Sequence, residues 1–89
     1  DEVLYFQADN KYTRVATRDG EALIRKTLKE LVDELDPQQF WQIHRSTLVN
    51  VSAIASVSRD FRGRMEVRLK ARPASLLVSE SYAHLFRQM

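Results

Sequence analysis

The sequence predicts a mainly β domain with one amphipathic helix at about residues 27–35 and a short C-terminal helix at about 80–88. Three patterns lead there. Arg64 to Lys70 alternates without a break, setting Met65, Val67 and Leu69 against Arg64, Glu66, Arg68 and Lys70, as a half-buried antiparallel strand requires. Val3 to Ala8 is rich in aromatic and β-branched residues and stops at Asp9-Asn10, residue types that tolerate turn geometry. Thr27 and Glu30 have capping-box spacing, in which the hydroxyl accepts from the glutamate N–H while the glutamate reaches back.

The remaining elements follow in order. Lys11 to Thr17 returns from the first turn, with Thr13, Val15 and Thr17 on one face and Tyr12, Arg14 and Ala16 on the other. Arg18-Asp19-Gly20 turns the chain into a third strand, Glu21 to Lys26. Leu28, Leu31, Val32 and Leu35 then form one helical stripe, and Pro37 disfavours helical geometry at Asp36. From Phe40 the apolar groups are short: Phe40-Trp41-Gln42-Ile43, Leu48-Val49, and Ile54 with Val57, which read as short strands or turns. Leu76-Leu77-Val78 is a last strand. Tyr82, Leu85, Phe86 and Met89 recover helical spacing, with Ser79 or Ser81 available as N-cap. The two glycines, Gly20 and Gly63, both fall at expected turns, where a positive φ costs glycine little.

A chain of 89 residues encloses one modest core and therefore forms one domain. Hydrophobic residues at 44% and charged residues at 29% suit a folded protein and not a disordered one. The absence of cysteine removes disulfides, thiolate zinc sites and cysteine nucleophiles together, and suits a reducing cytoplasm. No apolar run approaches the length of a membrane span. The formal net charge is only +2, so any nucleic-acid role depends on where the basic residues lie.

Two segments concentrate chemistry. Between Arg59 and Arg72, the cations Arg59, Arg62, Arg64, Arg68, Lys70 and Arg72 face only Asp60 and Glu66. Arginines on a hairpin tip and an exposed strand face can neutralise successive phosphates, but a solvated sheet face has the same composition. The segment Ile43-His44-Arg45-Ser46-Thr47-Leu48-Val49-Asn50 sets hydrogen-bonding side chains between core-like residues. Arginine pairs bidentately with guanine and asparagine with adenine, while serine and threonine hold phosphates, although such a turn can also satisfy its own backbone. Catalysis has little support: His44 and Ser46 lack a nucleophile elbow, an oxyanion loop and an identifiable acid. His44 and His84 lack metal-motif spacing, and no glycine-rich phosphate loop is present, so no cofactor is expected.

Taken together, Leu4-Tyr5-Phe6-Gln7-Ala8, Lys11-Tyr12, Thr27-Leu28-Lys29-Glu30-Leu31, Leu35-Asp36-Pro37 and the core from Phe40 through Ile43-His44-Arg45-Ser46 to Val49-Asn50 resemble the LytTR family across nearly the whole chain. The resemblance implies short antiparallel strands in stacked sheets that bind duplex DNA through loops, as the output domain of a bacterial two-component response regulator. It further implies bent DNA, paired direct repeats, an upstream receiver or sensor domain, a homodimer on DNA and a cytoplasmic location. Carried over by position, the first hairpin brings Asn10, Lys11, Tyr12 and Thr13 near DNA, and Arg45 makes a central contact. His44, Ser46 and Asn50 are further DNA-binding candidates of the same site, ranked below Arg45 because His44 suits ordering the loop and Asn50 suits bracing backbone groups, and Arg62, Arg64 and Lys70 are phosphate candidates. Where the family commonly has Ser-Arg after the last strand, this chain has Ser79-Glu80. A carboxylate cannot replace arginine against guanine, so Glu80 accepts from cytosine, caps the final helix, or marks a contact moved to Ser81, Tyr82 or His84. The family's opening strands are not evident, so residues 1–89 are expected to be a single domain cut from a longer regulator. The rival reading is a β-rich protein-interaction or dimerisation module that pairs through a strand edge.

Overall fold

The computed structural model describes residues 2–88; Met89, which the apolar spacing would add to the C-terminal helix, lies outside them. Strands β1 (Val3–Asp9), β2 (Tyr12–Thr17), β3 (Glu21–Ile24), β4 (Phe40–His44) and β5 (Thr47–Asn50) form a five-stranded antiparallel sheet in the order β3-β2-β1-β5-β4. Strands β6 (Ile54–Arg59), β7 (Met65–Leu69) and β8 (Ser75–Val78) form a three-stranded antiparallel sheet. Helix α1 (Leu28–Glu34) joins β3 to β4, and the 3₁₀ turn Val51–Ala53 joins β5 to β6.

The larger sheet is covered on both faces, so its strands do not alternate cleanly. Tyr5, Ala16, Ile43 and Val49 pack with Met65, Val67, Leu76 and Val78 of the smaller sheet. Phe6 and Leu48 pack on the other side with Leu28 and Leu31 of α1. Leu4, Tyr5 and Phe6 are consequently all buried, helped by a register shift between Val3 and Tyr5. In β2 the buried residues are Thr13 and Ala16, one from each expected face. Strand β7 has one solvated side and follows the expected alternation, with Met65, Val67 and Leu69 buried.

The Thr27 hydroxyl accepts from the Glu30 N–H at 3.1 Å, so α1 starts where the capping box puts it. Val32, expected in the stripe, is 43% exposed, because Leu28 and Leu31 already fill the contact with Phe6 and Leu48. Strand β3 ends at Ile24 and not at Lys26, since its partner β2 begins one residue before the Thr13–Ile24 pair. The C-terminal element, Glu80–Gln88, is a 3₁₀ helix. Its three-residue repeat aligns Ala83 with Phe86 on the core, and Phe86 meets Trp41 edge-on at 5.4 Å. The left-handed backbone positions are Asn10 (φ 62°) and Gly63 (φ 82°); Gly20 does not need one.

Candidate nucleic-acid interface

Strand register determines which loops meet. Asp9 pairs with Tyr12, leaving Asn10-Lys11 as a two-residue turn, and the left-handed Asn10 suits so tight a connection. Gln7 pairs with Thr47, and the Ala8 N–H donates to the Ser46 carbonyl at 2.8 Å. The β4–β5 turn, carrying Arg45, therefore emerges at the same end of the sheet as the β1–β2 turn. Two strand spacings separate the turns, about 10 Å. Thr13 pairs with Ile24, so Arg25 leaves β3 at that end as well.

The smaller sheet joins this end through a backbone clamp, in which the Ser79 N–H donates to the Ile43 carbonyl at 2.9 Å. Met65 pairs with both Arg59 and Val78, so the β6–β7 turn (residues 60–64) projects beside the clamp. At the far end, Arg72 reaches the Thr17 carbonyl and Glu21, and the Lys70 N–H donates to Ala53. The two sheets thus run the same way, and three turns share one end of the domain.

Side chains at that end fall into two groups. Lys11, Arg25, Arg45 and Arg62 are exposed, and none of them forms an ion pair among the described residues. The Arg25 guanidinium lies 5.9 Å from the Tyr12 ring centroid, which gives the half-exposed tyrosine a cationic neighbour. Arg59 and Arg64 are also exposed but, by contrast, engage carboxylates of the domain. Arg59 bonds the Gly63 carbonyl at 2.5 Å and Glu80 at 3.4 Å, while Arg64 bonds Asp60 at 3.0 Å. The Arg64 backbone N–H, with the Arg64 side chain and the Arg62 N–H, holds the Asp60 carboxyl below its ordinary pKa.

The His44-Arg45-Ser46 turn is built by its flanking residues. The Ser46 N–H donates to His44 Nδ1 at 3.2 Å and the Ser46 hydroxyl lies 2.9 Å from the same atom. His44 Nδ1 thus accepts from the backbone N–H of the turn it opens. Gln42 adds a bond to the His44 carbonyl at 3.3 Å. Arg45 stands between these two braces and points its charge to solvent.

Three expected contact residues are placed elsewhere. Thr13 is 2% exposed, and its hydroxyl donates to the Lys26 carbonyl at 2.6 Å, fixing the chain as it leaves β3. Asn50 is 1% exposed; its amide donates to the Val3 carbonyl at 2.8 Å, and its oxygen accepts from the Ser52 N–H at 3.0 Å and from Gln39. Both side chains are buried and spent on bonds within the domain. Lys70 is exposed but lies one full strand from Arg64, about 20 Å away at roughly 3.3 Å per residue. Ser79 acts through its backbone clamp, and Glu80 is an exposed carboxylate engaged with Arg59, not a cap. Arg25 is the contact candidate that spacing did not reveal. Its only signal was a basic pair at the end of a short strand, which acquires meaning once β3 is registered against β2.

Exposed cations on turns, braced by a sheet scaffold, suit a domain that presents loops to nucleic acid. The chain belongs to the LytTr DNA-binding domain family, whose sequence profile matches residues 1–89. It is 47% identical over 90 residues to an uncharacterized response regulatory protein of Vibrio cholerae, covering 97% of this chain and 34% of that one. It is 31% identical over 88 residues to the transcriptional regulatory protein YpdB of Escherichia coli K12, covering 99% of this chain and 36% of that one. The chain therefore spans about a third of the length of these relatives. A solved LytTr DNA-binding domain from Bacillus cereus superimposes with a TM-score of 0.85 at 29% identity, covering 97% of this chain and 78% of that one.

Proposed function

We propose that this domain binds duplex DNA sequence-specifically through the end where its three turns converge, as the output domain of a two-component response regulator. The observation that carries the reading is that convergence: Lys11, Arg25, Arg45 and Arg62 reach one end from four separate parts of the chain, each exposed and without an ion-pair partner among the described residues. Arg45 is the central base contact. Asn10, Lys11 and Tyr12 enter one groove from the β1–β2 turn, and the β6–β7 turn with Arg62 engages another. The domain measures 35 × 25 × 24 Å, matched to about one turn, roughly 34 Å, of a double helix. His44 and Ser46 serve as turn architecture and carry no catalysis. A receiver or sensor domain upstream, paired direct repeats, a dimer on DNA and a cytoplasmic setting complete the proposal.

The test is a fluorescence-anisotropy titration of duplex DNA from the region upstream of the regulator's own gene, repeated at two salt concentrations. Each neutralised phosphate is expected to add about 0.9 to the log–log salt slope. An affinity indifferent to salt, or no affinity at low salt for any duplex, contradicts the reading. A second reading draws on an apolar groove of about 330 Å³ beside edge strand β4, lined in part by Leu35, Phe40, Trp41, Tyr82 and Leu85. It makes the domain a protein-interaction or dimerisation module, and it predicts self-association that salt barely alters.

A further inference from the structure

Phe61 is 92% exposed, the most exposed of the large apolar side chains in the described residues. It stands at the tip of the β6–β7 turn, at the same end as Lys11 and Arg45. Nothing in the domain's own stability calls for it. The turn is closed by the Asp60 carboxylate, which accepts from the Arg62 and Arg64 backbone N–H groups at 2.9 Å each and from the Arg64 side chain. The Gly63 N–H donates back to the Asp60 carbonyl at 2.9 Å, with Gly63 in the left-handed region. Arg59 bonds the Gly63 carbonyl and ties the turn to Glu80. The turn is thus closed by bonds that do not involve the phenylalanine side chain, and the ring is left in water with the Arg62 guanidinium 5.4 Å from its centroid.

An aromatic ring held out on a closed turn, beside an uncommitted guanidinium and in line with other DNA-facing cations, has the parts of an apolar wedge. Such side chains enter a base step from the minor groove, unstack it and kink the duplex, while arginine is drawn to the groove's negative potential. Resting on the DNA-binding reading above, we infer that Phe61 is a wedge inserted at a base step next to the Arg45 contact, with Arg62 steering it along the minor groove. The wedge is apolar in character, so leucine can stand in for it and alanine cannot. The side chain is a DNA-distorting element, separate from the residues that read base edges.

The test uses a duplex selected from a random-sequence pool by the domain itself, with affinity read by anisotropy and bending by energy transfer between end labels. Phe61→Ala is expected to weaken binding about ten- to a hundredfold and to reduce the bend. Phe61→Leu should retain most of both. A 2-aminopurine scanned through the site should brighten at one step with the wild type and stay quenched with Phe61→Ala. Thermal unfolding of both variants should match the wild type, since the ring is 92% exposed and its one near neighbour, Arg62, is itself at the surface. Wild-type binding with unchanged affinity, bend and 2-aminopurine signal in Phe61→Ala overturns the wedge and leaves DNA binding intact. An effect of Phe61→Ala confined to self-association, seen by sedimentation, overturns it in favour of a protein contact. Failure of the wild type to select any duplex overturns the wedge together with the reading beneath it.

Discussion

Replacing Asn50 by alanine separates two roles that the sequence alone leaves tangled. The side chain is 1% exposed and holds three elements together: it bonds the Val3 carbonyl at the start of β1, the Ser52 N–H of the 3₁₀ turn, and Gln39 before β4. Loss of the cap on the 3₁₀ turn costs about 1 kcal/mol. Leaving the half-buried Val3 carbonyl without its donor costs roughly another 1–2 kcal/mol. The expected destabilisation is therefore about 2–3 kcal/mol, a fall in Tm on the order of 10–20 °C for a domain of this size. Urea unfolding measures the first quantity and differential scanning calorimetry the second. Below the new Tm, folded Asn50→Ala should bind DNA with wild-type affinity and an unchanged salt slope, because the amide is buried and bonded to protein groups. A variant of wild-type stability that loses DNA affinity would refute the burial argument and return Asn50 to the contact surface.

Three other outcomes are expected. Arg45→Ala should lose about 1–3 kcal/mol of specific binding while non-specific binding changes less, as competition titrations with selected and scrambled duplexes would show. Lys70→Ala should leave both affinity and salt slope unaltered, whereas Lys11→Ala should lower the slope by about 0.9; equal effects of the two would contradict the single-ended arrangement. The lowered Asp60 pKa means that its contribution to turn order is present above the ordinary aspartate value and lost as pH falls through the folded value. The amide resonances of Arg62 and Arg64 should accordingly titrate below the ordinary range, roughly 4, and a midpoint at or above it would count against the carboxylate as the turn's organiser.

How far the sequence could be read depended on whether a pattern was local. The β7 alternation and the Thr27–Glu30 cap are decided within a few residues, and both appear as expected. Strand β2 and its neighbours were harder, because a sheet buried on two faces removes the period-two signal from Leu4, Tyr5 and Phe6. The 3₁₀ form of the C-terminal element was hidden because Tyr82, Leu85 and Phe86 suit an α-helical stripe equally well. At the candidate site, the turn from His44 to Ser46 was legible in its motif. The basic window from Arg59 to Arg72 was misleading as a unit: β7 carries Lys70 to the opposite end, and Asp60, Glu80 and Glu21 engage Arg64, Arg59 and Arg72. Arg25 was invisible because its neighbourhood with Tyr12 exists only after the strands pair.

The Ser79-to-Ile43 clamp has an effect that reaches beyond the protein. It ties the end of β8 to β4, and the core beneath leaves no buried side-chain polar atom without a partner among the described residues. On the binding mode proposed above, turns held at one spacing require the double helix to yield to meet them. Its stiffness varies with base step, so that mode favours operators that flex cheaply, through positions no side chain contacts.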